Sequence, residues 1–145
     1  MLYAAYGSNL NKTQMGIRCP HAVPVGASAL DGWRLIFRRG YLTIEPCGSG
    51  EVPLGIWRIS GRDERSLDRY EGYPGFYRKS IVTVDVCGKP AECLVYIMRN
   101  GFPAKLPDGY YMEICEHGYS DFRLPVLKLH EAVCHTKEVI EGEEM

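Results

Sequence analysis

The chain opens on a short apolar run, Leu2-Tyr3-Ala4-Ala5-Tyr6, that stops at Gly7-Ser8-Asn9-Leu10. A strand ending in Gly-Ser-Asn leaves backbone N–H groups without a ladder partner, and a turn of this kind folds them into a concave nest for an anion or oxyanion. Gly7 lacks a Cβ, so the turn is free to take an unusual φ and a ligand can approach the backbone closely. Further along, Leu67-Asp68-Arg69-Tyr70-Glu71-Gly72 sets a carboxylate among Tyr70, Tyr73, Phe76 and Tyr77. Burial in such aromatic surroundings raises a carboxyl pKa. Donor nest and aromatic-flanked acid together make a minimal kit for proton transfer at a carbonyl.

Composition narrows the alternatives. The 145 residues are 46% hydrophobic and 24% charged, as expected of one globular domain spanning 1–145. A net charge of −1 argues against nucleic acid as a partner. No apolar stretch reaches the ~18–20 residues that span a bilayer, so no membrane partner is expected either. Six cysteines (Cys19, Cys47, Cys87, Cys93, Cys115 and Cys134) show neither a Cys-x-x-Cys pair nor metal-ligand spacing with the four histidines. They read as reduced thiols, and with no leader visible the expected compartment is the cytoplasm. No metal or organic cofactor is called for.

Periodicity and turn residues predict strands over residues 2–6, 25–30, 33–37, 42–45, 54–59, 77–86 and 91–98. Asp31-Gly32 reads as a tight hairpin turn, 46–53 as a loop between two strands, and Gly88-Lys89-Pro90 as another turn. Helices are predicted over 11–18, 63–70, 110–119 and 126–133, with 138–145 a frayed acidic tail. Glu71 falls at or just past a helix C-terminus, where the dipole pushes its pKa further up. The element mix implies an α+β fold, a mixed sheet curled into a small barrel with two to three flanking helices.

The loop Tyr6-Gly7-Ser8-Asn9-Leu10 followed by Leu67-Asp68-Arg69-Tyr70-Glu71-Gly72 resembles the γ-glutamylcyclotransferase-like family, which includes plant avirulence-induced-gene-2-like proteins. Arg34-Leu35-Ile36-Phe37, Leu42-Thr43-Ile44-Glu45-Pro46, Val52-Pro53-Leu54-Gly55-Ile56-Trp57, Tyr111 and Leu124-Pro125 extend the resemblance over residues 2–129. It implies an enzyme that turns a γ-glutamyl small molecule into 5-oxoproline and a free amine, with Glu71 as general acid and base. It also implies a pocket formed by Tyr6, Gly7, Ser8, Asn9, Leu10 and Tyr111. Tyr77 and Arg78, just after the aromatic cluster, are further substrate-binding candidates, Arg78 through a substrate carboxylate.

Read without the resemblance, each residue has a plainer role. Glu71 is first a solvated helix-end acid paired with Arg69 or Lys79, Tyr111 a helix residue facing the core, and Arg78 an exposed strand arginine. Ser8 as a nucleophile lacks the Gly-x-Ser-x-Gly elbow, since Tyr6 stands at the first glycine. A non-enzymatic small-molecule binder of the same fold is the competing reading.

Overall fold

In the computed structural model, which describes residues 1–144, five strands and four α-helices follow the predicted order with several shifted boundaries. They are β1 (Leu2–Ala5), α1 (Lys12–Arg18), β2 (Val23–Arg38), β3 (Tyr41–Arg58), α2 (Gly61–Glu71), β4 (Tyr77–Val86), β5 (Lys89–Met98), α3 (Gly109–Asp121) and α4 (Leu127–Glu143). A 3₁₀ turn, Ser8–Leu10, links β1 to α1. The strands form one mixed sheet in the order β2-β3-β1-β5-β4, with β1 antiparallel to β3 and parallel to β5.

That sheet is not the barrel expected. It curls until the Ser28 hydroxyl on β2 donates to the Asp85 carbonyl on β4. No ladder joins these two edges among the described residues, so the sheet stays open. A single side-chain bond cannot replace the paired backbone groups that closure requires.

The predicted turn at Asp31-Gly32 is instead an irregularity inside β2. Asp31 faces Glu51 and Trp33 faces Pro46, so residues 47–50 of β3 bulge opposite Gly32 alone. The 46–53 segment therefore interrupts pairing without ending the strand. The true hairpin tip is Arg39-Gly40, both with positive φ (53° and 85°), the signature of a two-residue type I′ turn. The second hairpin likewise turns at Cys87-Gly88 (φ 53° and 87°), and Lys89 and Pro90 already lie in β5. Residues 138–143 of the expected tail are helical, continuing α4 to Glu143, and Met145 lies outside the described residues.

Helix α2 is fixed at both ends. Ser60 and Asp63 form a reciprocal capping box, and Gly72 at φ 65° terminates the helix in the left-handed region. The Tyr73 N–H returns to the Asp68 carbonyl at 2.9 Å and the Gly72 N–H to that of Arg69 at 3.3 Å, as in a Schellman closure. The chain therefore leaves the helix directly after Glu71. On the other side, α3 rests on the 3₁₀ turn. A Cβ on Gly118 would stand 2.6 Å from the Asn11 amide nitrogen and 2.7 Å from Leu10 Cβ, so only glycine permits this approach. Leu10, Leu54, Ile56, Leu67, Tyr119 and Leu129 fill the core beneath.

Candidate active site

Both motifs open into one cleft of about 490 Å³. Where β1 ends, Tyr6 donates its hydroxyl to the Tyr96 carbonyl (2.6 Å) and its own carbonyl accepts from Tyr119 (2.9 Å). The strand end is thus pinned on two sides. The turn then closes through Leu10 N–H to Gly7 O (3.0 Å) and Asn11 N–H to Ser8 O (3.1 Å). Among the described residues, the N–H groups of Gly7, Ser8 and Asn9 have no protein acceptor. Gly7 does not use positive φ (its φ is −129°), so the expected conformational reason does not hold. What it supplies is room, because a Cβ there would meet the Tyr111 hydroxyl at 3.3 Å.

Asn9 joins the loop to the acid. Its Nδ2 donates to Glu71 Oε1 (3.2 Å) and to the Tyr3 hydroxyl (3.0 Å), while its Oδ1 accepts from Arg18 Nη1 (3.0 Å). Trp57 Nε1 holds the Asn9 carbonyl at 2.9 Å. The Arg18 guanidinium in turn lies 3.6 Å over the Tyr70 ring, and Tyr70 and Ser8 share a hydroxyl contact of 2.9 Å. Glu71 pairs with neither Arg69 nor Lys79. The Lys79 ammonium is taken by Glu64 (2.8 Å) and Asp68 (3.0 Å). Burial pushes the Glu71 carboxyl from its ordinary 4.5 up to about 7, and the nearby Arg18 charge moderates the rise. An acid so poised gives and takes a proton near neutrality.

Tyr111 lines the cleft, and the Asp108 cap of α3 accepts from its N–H at 2.7 Å. Its hydroxyl accepts from the Leu42 N–H at 3.1 Å and its ring meets Tyr41 edge-on at 5.1 Å. Tyr77 also lines the cleft, its hydroxyl donating to the Leu42 carbonyl at 2.7 Å. Three of the sequence expectations do not hold. Arg78 alternates to the other side of β4 and lines a separate cavity with Arg38, Glu45 and Arg99. Leu10 is fully buried under the turn instead of facing the cleft. Tyr73 is exposed and stacks beneath the Lys79 ammonium. Tyr3, Arg39, Tyr41, Phe76, Tyr96 and Lys105 line the cleft, and only Phe76 carried any sequence signal, as part of the aromatic run after Glu71. Among the described residues no histidine lines it, so Ser8 has no imidazole base.

A family model described as gamma-glutamyl cyclotransferase, AIG2-like, matches residues 3–116. The chain belongs to that family. It is 30% identical to a gamma-glutamylcyclotransferase of Bos taurus over 138 residues, covering 86% of this chain and 73% of the relative. The Homo sapiens protein of the same name is 29% identical over 140 residues, at 86% and 73% coverage. A solved structure described as gamma-glutamyl cyclotransferase superposes with a TM-score of 0.81 at 27% identity, covering 96% of this chain and 87% of the other. The shared part includes β1, the loop, α2 with Glu71, and the start of α3 with Tyr111.

Proposed function

We propose that this γ-glutamylcyclotransferase-type enzyme closes a γ-glutamyl group onto itself, releasing 5-oxoproline and a free amine, with Glu71 carrying the proton. The observation behind the reading is the meeting, in one cleft, of a carboxyl raised to about 7 and three unpartnered loop amides. Ionised Glu71, oriented by Asn9, accepts a proton from the substrate's α-ammonium. The freed amine attacks the γ-carbonyl carbon and a five-membered ring forms. The amides of Gly7, Ser8 and Asn9 hold the substrate's α-carboxylate or the developing oxyanion. Glu71, now neutral, gives its proton to the departing nitrogen as the amide C–N bond breaks; ionised again, it takes the second proton from the ring nitrogen and passes it to the released amine, which leaves as an ammonium. Both reacting groups sit in one molecule, so holding the curled conformer supplies much of the rate, on the order of 7–11 kcal/mol in the best-oriented cases.

Burial keeps the hydroxyls of Tyr3, Tyr6 and Tyr111 protonated, well above their usual range, so each serves the cleft as a neutral group. Six free cysteines suit a reducing compartment, and we place the enzyme in the cytoplasm. No described helix is long and apolar enough to cross a membrane. The test is Glu71→Gln, which keeps size and the Asn9 contact but cannot take the ammonium proton. Release of 5-oxoproline, read by mass spectrometry, is expected to fall roughly 10²–10⁴-fold. Glu92→Gln, an exposed acid on β5, is the comparison. Near-normal turnover by Glu71→Gln removes the residue from the mechanism.

A further inference from the structure

Arg78, turned away from the cleft, has a setting of its own. Leu42, Tyr77 and Tyr96 line the cleft, and their chain neighbours Thr43, Arg78 and Ile97 line a second cavity of about 680 Å³. Successive strand residues take opposite faces, so β3, β4 and β5 each give one residue to the cleft and the next to the cavity. On the cavity side the Thr43 hydroxyl accepts the Met98 N–H at 2.9 Å and ties β3 to β5. In the β4–β5 register Arg78 faces Ile97, and the Arg99 N–H continues the ladder to the Phe76 carbonyl at 2.9 Å. Arg99 is thus the diagonal neighbour of Arg78, a separation that long side chains bridge. The charges here do not cancel. Arg38 gives its Nε to Glu45 (2.8 Å) and its Nη1 to the Phe102 carbonyl (3.1 Å), which closes that pair. Arg99 uses only its Nε, on the Pro74 carbonyl. Among the described residues neither Arg78 nor Arg99 forms an ion pair, and Glu143 near the end of α4 is the one other acid lining the cavity.

We propose that this cavity binds a small phosphate monoester, its phosphate held by Arg78 and Arg99 and its organic part lying against Trp33 and Pro46. A guanidinium holds phosphate through two parallel N–H···O bonds, and two guanidiniums match a dianion. Trp33 and Pro46 face each other across the β2–β3 ladder and wall the same cavity. The space is far larger than a phosphate ion, which leaves room for a carbon skeleton. The site lies on the opposite face of the strands from the cleft and does not depend on the cyclotransferase reading.

The experiment titrates ribose 5-phosphate, inorganic phosphate and ribose into the protein by calorimetry. Ribose 5-phosphate is expected to bind, inorganic phosphate to bind more weakly, and ribose not at all. Binding is expected to weaken with added salt, since Arg99 is exposed and Arg78 only partly buried. Arg78→Gln and Arg99→Gln are each expected to weaken it roughly 10-fold to 100-fold, the usual scale of charge-assisted hydrogen bonds. Arg65→Gln, at an exposed arginine of α2 outside the cavity, is expected to bind as the wild type does. No binding of ribose 5-phosphate overturns the proposal, and so does ribose bound equally well. Inorganic phosphate bound as tightly as the ester overturns the choice of an ester. An equal loss in Arg65→Gln overturns the site by reducing the attraction to general charge. Ribose 5-phosphate that competes with a γ-glutamyl substrate and binds Arg78→Gln undiminished sits on the loop amides instead, which also overturns it. None of these outcomes touches cyclotransfer, which 5-oxoproline release tests separately.

Discussion

Glu71→Gln is expected to make the protein more stable at alkaline pH while it lowers turnover roughly 10²–10⁴-fold. Below the ordinary 4.5 the carboxyl is neutral folded or unfolded, and burial of the neutral form costs little. Between 4.5 and about 7 the folded state keeps a proton that the unfolded state has released, so stability falls as pH rises through this window. Above about 7 the folded protein carries the full cost of an ionised, poorly solvated acid, about 3 kcal/mol. Glutamine has no such titration. From pH 5 to pH 8 the stability of the variant minus that of the wild type is expected to grow by about 2.5 kcal/mol. In a chain of this size that is a relative Tm gain of about 5–10 °C. Urea unfolding of both proteins across that range measures it, beside 5-oxoproline release from the same preparations. A stability difference that stays flat with pH refutes the raised pKa, and with it the physical reason for Glu71 to exchange protons near neutrality.

Arg18→Gln removes the cation that holds the Glu71 pKa down, so the rising limb of the kcat/KM–pH profile is expected to move to higher pH. A limb that stays or moves down contradicts the assignment of that limb to Glu71. Gly118→Ala forces a Cβ to within 2.6 Å of the Asn11 amide nitrogen. A stability loss of about 1–3 kcal/mol in thermal melts is expected, with reduced kcat/KM because the turn carrying the loop amides is displaced. An unchanged Tm refutes the close-packing argument.

The two ends of the candidate site were legible because each is a local signal. A strand stopping at Gly-Ser-Asn and a helix closing on Glu71-Gly72 are written in consecutive residues, and the structure keeps both, with Gly72 at φ 65° ending α2. The hairpins were harder. Asp31-Gly32 has turn chemistry, yet Gly32 at φ 85° serves a bulge, because residues 47–50 of β3 absorb the mismatch and pairing resumes at Trp33. The real turn, Arg39-Gly40, places a non-glycine residue at φ 53°, where propensity argues weakly. That displacement concealed Arg39, whose position at the rim follows from the hairpin tip and not from its neighbours in sequence.

Adjacent residues on β4 show where sequence reasoning about the site stops. Tyr77 and Arg78 were equal candidates, but a strand turns successive side chains to opposite faces, so admitting Tyr77 to the cleft sends Arg78 away from it. Which of the two faces inward depends on register, here Tyr77 against Met98, and register is set by the whole β4–β5 pairing. Asn9 marks the same boundary from the other side. Its loop position was apparent, but its bonds reach Tyr3, Arg18, Trp57 and Glu71, on two strands and two helices that only the assembled fold brings together. A carboxylate is poised to exchange protons near neutrality by being buried and oriented at once. Here the orientation comes from an amide 62 positions away in sequence, so the poise of Glu71 is a property of the fold before it is a property of the motif.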